Sequence, residues 1–306
     1  MITSIVFSKD RPLQLDLALN SIKQNFKLCQ NIIVIYKNSQ PEYEESYENL
    51  KKEHPDVNFW QQSSSIFTDI LTAVKESFDY LCFFTDDNIV YQNVDIHKGI
   101  LDQVFSLPNQ EGKIVGCSCI SLRLGMNTKK RDYSDGSSSL GLQDDILPKV
   151  VLLDPFLVIG WAFTSIAPGG YWSYPLSVDG HIFSKKAILS FCTELDFLNS
   201  HYDKLHNESG EDWRWNQTPN EFEAKLQRFY FDLPNAMICL QYSCVVNSPN
   251  NRVQNHINNK NGDSFPCDPL ELNNLYKLGK RLNLSKIDFG EIVVPHQEID
   301  ILKGLE

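Results

Sequence analysis

The chain of 306 residues carries 28 Lys and Arg against 39 Asp and Glu, a formal charge of −11, with 42% hydrophobic and 22% charged residues. That composition is globular and excludes wholesale disorder or a fibrous repeat. The acidic balance disfavours a broad nucleic-acid footprint or polybasic docking on an anionic membrane, but leaves small anionic ligands open, because those need only a local basic group or a metal ion.

Ile2–Phe7 is a compact apolar run that predicts an opening strand; it lacks the basic segment and apolar core of a signal peptide. Asp10-Arg11-Pro12 then places proline where a helix begins, and Leu15, Leu19, Ile22 and Phe26 recur at helical spacing. Ile32–Tyr36 predicts a second strand, Glu42–Glu53 an exposed acidic helix, and Val57–Trp60 a short third strand. Ile66, Ile70, Val74 and Phe78 form another helical stripe before a fourth strand at Leu81–Phe84. A helix over Ile96–Phe105 and a strand over Ile114–Cys119 complete the pattern. Strands alternating with helices imply a mostly parallel sheet covered on both faces.

The second half is less regular. Residues 121–145, with Ser134–Ser139 at their centre, read as a mobile loop, and aromatics and glycines crowd Gly160–Phe163 and Gly169–Tyr174. A strand at His181–Phe183 leads to a helix over Ser184–Asn199. A helix at Asn220–Phe231 leads to a long strand at Ala236–Val246, and an Asn-rich stretch over 247–263 precedes a short helix at Leu270–Leu282. No internal repeat is visible. The expectation is one α/β domain over 1–306 with an elaborated second half. No window approaches 18 consecutive apolar residues, so no transmembrane helix is expected. The eight scattered cysteines lack any CxxC pair and read as buried reduced thiols, which makes the cytoplasm the expected location.

In an open parallel sheet, ligands bind beyond the carboxyl ends of the strands. The first four tips are polar: Ser8-Lys9-Asp10-Arg11, Lys37-Asn38-Ser39, Gln61-Gln62-Ser63 and Thr85-Asp86-Asp87-Asn88. None carries a GxGxxG or P-loop motif. The fourth sets two carboxylates and an amide oxygen on one turn, the donor type that hard divalent cations take; a solvated Asp-Asp-Asn turn would look the same.

Ser8–Pro12, Asp86-Asp87-Asn88 and the later Asp179–Lys186 resemble the glycosyltransferases of the GT-A fold, of the glycosyltransferase family 2 type. The likeness spans most of residues 1–246. It implies a Rossmann-like, mostly parallel sheet, with a nucleotide-sugar-binding half over 1–120, an acceptor-binding and catalytic half over 121–246, and a C-terminal tail over 247–306. It further implies a nucleotide-diphosphate sugar donor, with a UDP-sugar as first choice, and a glycan, lipid-linked or protein-linked acceptor. On the donor side, Ser8, Asp10, Arg11 and Asn38 would hold the nucleotide with Asp86 and Asp87. Mg²⁺ or Mn²⁺ would sit on Asp86, Asp87 and Asn88, with His256 as a C-terminal ligand. Asn88 departs from the family's Asp-x-Asp pattern, a weaker ligand that puts the metal in question.

An inverting transfer further implies a carboxylate base on the acceptor side. Asp212, in Gly210-Glu211-Asp212-Trp213, is the first choice, with Asp179 and Glu223 as competitors; Glu221 and Glu223 equally suit the positive end of a helix dipole. Trp161, Tyr171, Trp172, Trp213 and Trp215 serve either as core or as a platform for sugar faces. Two rival functions stay open: a sugar-nucleotidyltransferase, which would want a glycine-rich first loop, and a non-catalytic carbohydrate-binding protein that retains the fold.

Overall fold

The computed structural model describes residues 1–106, 116–132, 142–153, 158–206, 218–254 and 262–306. Its first half alternates β1 (Ile2–Lys9), α1 (Pro12–Asn25), β2 (Cys29–Lys37), α2 (Glu44–Glu53), β3 (Asn58–Gln61), α3 (Ile66–Glu76) and β4 (Tyr80–Thr85). Pro12 takes the first helical position of α1, where its missing N–H costs nothing. Ser65 caps α3 by accepting from the Thr68 N–H. Then follow β5 (Asn88–Val90), α4 (Lys98–Ser106), β6 (Cys117–Ser121), β7 (Lys130–Asp132), β8 (Leu142–Asp144), β9 (Val151–Leu153) and β10 (Val158–Ala162). The remainder holds β11 (His181–Ser184), α5 (Lys185–His206), α6 (Pro219–Leu226), β12 (Ala236–Leu240), β13 (Val245–Asn247) and α7 (Pro269–Lys277).

Among the described residues, nine strands form one sheet in the order β3-β2-β1-β4-β11-β6-β12-β10-β9. β1, β2, β3 and β4 run parallel, as do β6 and β12, while β11 pairs antiparallel with both β4 and β6. This is a mixed, mostly parallel, Rossmann-like α/β sheet. β1 is apolar on both sides because both are covered. Ile2 and Val6 join a core that includes α1, α2 and α7, whereas Ile5 and Phe7 join one that includes α3, α5 and Phe222 of α6.

Four regions differ from the sequence reading. The helix expected over Asn220–Phe231 is α-helical only to Leu226 and tightens into a 3-10 turn beyond it, and Val158–Ala162, where no strand was expected, pairs with β12. Ala236–Val246 is not one strand: the chain leaves the main sheet after Leu240, and β13 pairs instead with β5. Within 121–145, Leu122, Arg123 and Leu124 are buried, and β7 pairs antiparallel with β8; Ser134–Ser139 lie outside the described residues. The cysteines are all unbonded, and all but the half-buried Cys29 are buried. No helix among the described residues is long and apolar enough to cross a membrane.

Candidate active site

β1 has β2 and then β3 on one side and β4 on the other, so the winding of the sheet reverses between β1 and β4. Their carboxyl ends lie side by side, Phe7 in register with Thr85. This is the switch point at which open α/β sheets bind ligands. A cavity of about 730 Å³ opens there. Of the residues singled out from sequence, Ser8, Arg11, Asp86, Asp87, Asp179 and Glu223 line it.

Arg11 organises one wall of the cavity. Its Nη1 donates to Asp86 Oδ1 and to Asp87 Oδ2, each at 2.8 Å, and its Nε donates to Asn251 Oδ1 at 2.6 Å. Burial works against the guanidinium's charge, but Asp86 and Asp87 outweigh it and hold its proton more tightly than usual. Burial in turn pushes the Asp86 carboxyl up to about 6, against the pull of Arg11 and with the repulsion of Asp87. The main-chain N–H of Lys9 donates to Asp86 Oδ2 at 3.0 Å. Asp87 Oδ1 receives the Thr85 hydroxyl at 2.7 Å and Asn247 Nδ2 at 2.8 Å. Every carboxylate oxygen of the pair therefore already accepts a hydrogen bond.

Asp179 enters from the turn before β11. Its Oδ1 lies 3.0 Å from the Thr85 hydroxyl and 3.4 Å from Asn247 Nδ2, and its Oδ2 lies 3.3 Å from Arg123 Nη1 and 3.2 Å from His296 Nε2. Burial raises its carboxyl, but the His296 hydrogen bond and the Arg123 charge prevail and hold it well below the usual carboxylate range. Glu223 behaves in the opposite way. Removal from water, reinforced by the Asp179 charge, pushes it up to about 7 despite Arg123 and a hydrogen bond from Tyr174. The structure thus separates Glu223 from Glu221. Glu221 closes a capping box with Thr218 at the start of α6, while Glu223 lines the cavity.

Other expected residues are placed differently. Asp10 has a left-handed backbone, φ 55°, and its carboxylate turns away from the cavity to accept from the Ser39 N–H at 2.7 Å and from the Ser39 hydroxyl. Asn38 Oδ1 accepts from Gln61 Nε2 at 3.1 Å, and neither Asp10 nor Asn38 lines the cavity. Asn88 is buried, and its amide oxygen accepts from the Thr85 N–H at 2.8 Å, so the third ligand expected of the acidic turn is spent closing that turn. As arranged, Asp86, Asp87 and Asn88 do not fit a divalent cation, which would have to displace Arg11. Trp161 and Trp172 are core, packed edge-on with ring centres 4.8 Å apart and donating to the main-chain oxygens of Trp172 and Thr128. Tyr171, by contrast, lines the cavity. Asp212, His256, Trp213 and Trp215 lie outside the described residues.

The sequence reading missed Arg123, Asn247, Asn251, Tyr174 and His296. The histidine placed at Asp179 is His296, from the C-terminal segment, where Asn247 and His296 form a bridge. Only Arg123 had a local signal, the alternation of Ile120, Leu122 and Leu124 around it.

No family model matches the chain, and no curated protein matches it. Solved structures that match include the 4-diphosphocytidyl-2C-methyl-D-erythritol synthase of Anaerococcus prevotii, with a TM-score of 0.37 and 11% identity over 80% of this chain and 88% of that one. A likeness at that level bears on no residue of the site.

Proposed function

We propose that the cavity transfers a sugar from a nucleotide-diphosphate donor to an acceptor hydroxyl, with inversion at the anomeric carbon. The observation that carries this reading is the pairing, across one cavity at the sheet's switch point, of a cationic donor wall with Glu223, a carboxyl raised to about 7. The glycosyltransferase family 2 type resemblance of Ser8–Pro12, Asp86-Asp87-Asn88 and Asp179–Lys186 supports the reaction class.

In the proposed reaction Glu223 takes the proton of the acceptor hydroxyl as its oxygen attacks the anomeric carbon. The new carbon–oxygen bond forms as the bond to the diphosphate breaks, and that electron pair leaves on the diphosphate oxygen. A base with a value near neutrality serves this step well, because it is ionised at working pH yet still accepts a proton. Asp179 is the poorer candidate, since Arg123, His296, Thr85 and Asn247 already satisfy its charge. Arg11 and Lys9, at the tip of β1, are placed to oppose the charge that develops on the departing diphosphate.

The test is a thermal-shift screen of uridine, guanosine and cytidine diphosphate sugars, followed by donor hydrolysis with the ligand that binds. Ligand-linked stabilisation reaches about 2.7 kcal/mol at a hundredfold excess over Kd, so even weak donors register. A uridine diphosphate sugar is expected to raise Tm the most. Stabilisation by nucleoside triphosphates and sugar phosphates alone would assign nucleotidyl transfer instead. Binding of free glycans without any sugar nucleotide would assign a carbohydrate-binding role.

A further inference from the structure

A cation expected between Asp86 and Asp87 meets a place already filled. One Arg11 nitrogen lies 2.8 Å from an oxygen of each carboxylate, and the rest of the guanidinium is fixed on Asn251 through its side-chain and main-chain oxygens. Arg11 and Asp86 are both buried, at 8% and 4% exposure. A metal ion entering here would strip a buried guanidinium of both its carboxylates, and a buried charge left unpaired is strongly destabilising. The Asn88 amide oxygen is engaged by the Thr85 N–H, and no group of three His, Cys, Asp or Glu side chains that could hold a metal occurs among the described residues.

Besides Arg11, the described part of the cavity wall carries Lys9 and Lys37. Lys9 donates to the main-chain oxygen of Val253 at 2.8 Å, a neutral partner that leaves its charge uncompensated.

Resting on the reading of the cavity as a sugar-nucleotide site, we propose that the donor's diphosphate is held without a divalent cation. Arg11 stands in the metal's place between Asp86 and Asp87, and Lys9 with the other wall cations meets the phosphate oxygens. In this arrangement the two aspartates position Arg11.

Two measurements on the full chain decide it. In the first, Mn²⁺ is titrated and followed by its electron paramagnetic resonance signal. The wild type is expected to leave the free-ion signal undiminished, whereas Arg11→Met, which uncovers both carboxylates, gains a Mn²⁺ site. In the second, calorimetry with uridine diphosphate is expected to give wild-type affinities within about twofold of one another in EDTA and in Mn²⁺. Stoichiometric Mn²⁺ binding by the wild type, or a loss of uridine diphosphate affinity of about tenfold or more in EDTA, overturns the proposal. Should Arg11→Met fail to fold, the wild-type titrations decide alone. Should no nucleoside diphosphate bind under either condition, the donor-site reading falls, while the Mn²⁺ titration still decides whether Arg11 has displaced a metal site.

Discussion

His296 Nε2 lies 3.2 Å from Asp179 Oδ2, although 117 positions separate the two residues in the chain. The contact closes a small network, because His296 Nδ1 also lies 3.3 Å from the Tyr171 hydroxyl and Arg123 reaches the same Asp179 oxygen. His296 thereby fixes the carboxylate that borders Glu223.

Loss of that contact is expected to act on turnover more than on folding. A hydrogen bond to a charged group contributes about 1.5–3 kcal/mol, so His296→Ala should lower kcat/KM by roughly 10- to 100-fold. His296→Gln keeps an N–H donor and should recover most of it. Steady-state kinetics of the three proteins, with Tm as the control for folding, check this; equal losses in Ala and Gln would refute a role through that donor.

Glu223 gives a pH signature with a definite sign. Its carboxyl stands at about 7 in the folded chain against 4.5 ordinarily, so the native state binds the proton more tightly. The associated stability is present below about pH 4.5 and is lost as pH rises toward 7. Glu223→Gln should therefore melt above the wild type at about pH 8 and match it at about pH 4. Wild-type transfer should climb through about pH 7 to a plateau as the base ionises, and Glu223→Gln should reduce it by about 100-fold or more with donor affinity intact. Calorimetric scans at both pH values and a pH–rate profile are the measurements.

Asp86→Ala leaves Arg11 buried with Asp87 as its remaining carboxylate. Breaking a buried pair from one side costs about 3–5 kcal/mol, and the surviving partners place this case near 3. Urea denaturation of Asp86→Ala against wild type measures it. A loss below about 1 kcal/mol would mean the ion pair is little more than a surface contact.

Gly180 sits beside Asp179 with φ +67°, and a Cβ there would lie 3.1 Å from Val245 Cγ1. Its N–H donates to the Phe83 main-chain oxygen at 2.8 Å, so the turn cannot easily relax. Gly180→Ala is expected to cost about 1–2 kcal/mol of stability and to lower turnover with it by displacing Asp179. Parallel urea titrations and kcat measurements test whether the two losses travel together.

The β1–β4 half was legible because its signals are local. Strands buried on both faces read as continuous apolar runs, and their crossover helices carry a stripe of period 3.6. The acidic tip at Asp86-Asp87 followed from its place at the end of such a strand. What surrounds it did not follow. Asn251 meets Arg11 across 240 residues and Asn247 meets Asp87 across 160, and no periodicity encodes such a meeting. Ala236–Val246 read as one strand because hydrophobicity persists through a point where the chain changes sheets. Asp10 and Asn88 were chosen by their place at strand tips and by the family resemblance, and their oxygens are used locally instead, those of Asp10 by the Ser39 N–H and hydroxyl and that of Asn88 by the Thr85 N–H, as short polar side chains at turns commonly are.

The placement of Arg11 and Lys9 in the cavity of an acidic chain also bears on how fast an anionic ligand arrives. At low ionic strength the screening length is about 30 Å, and an approaching dianion feels the repulsion of the whole chain. At about 0.1 M it shrinks to about 10 Å, which silences the distant carboxylates while Arg11 and Lys9 still act at contact. Salt should thus hasten capture, opposite to the behaviour of enzymes that steer their ligands by a surface of complementary sign.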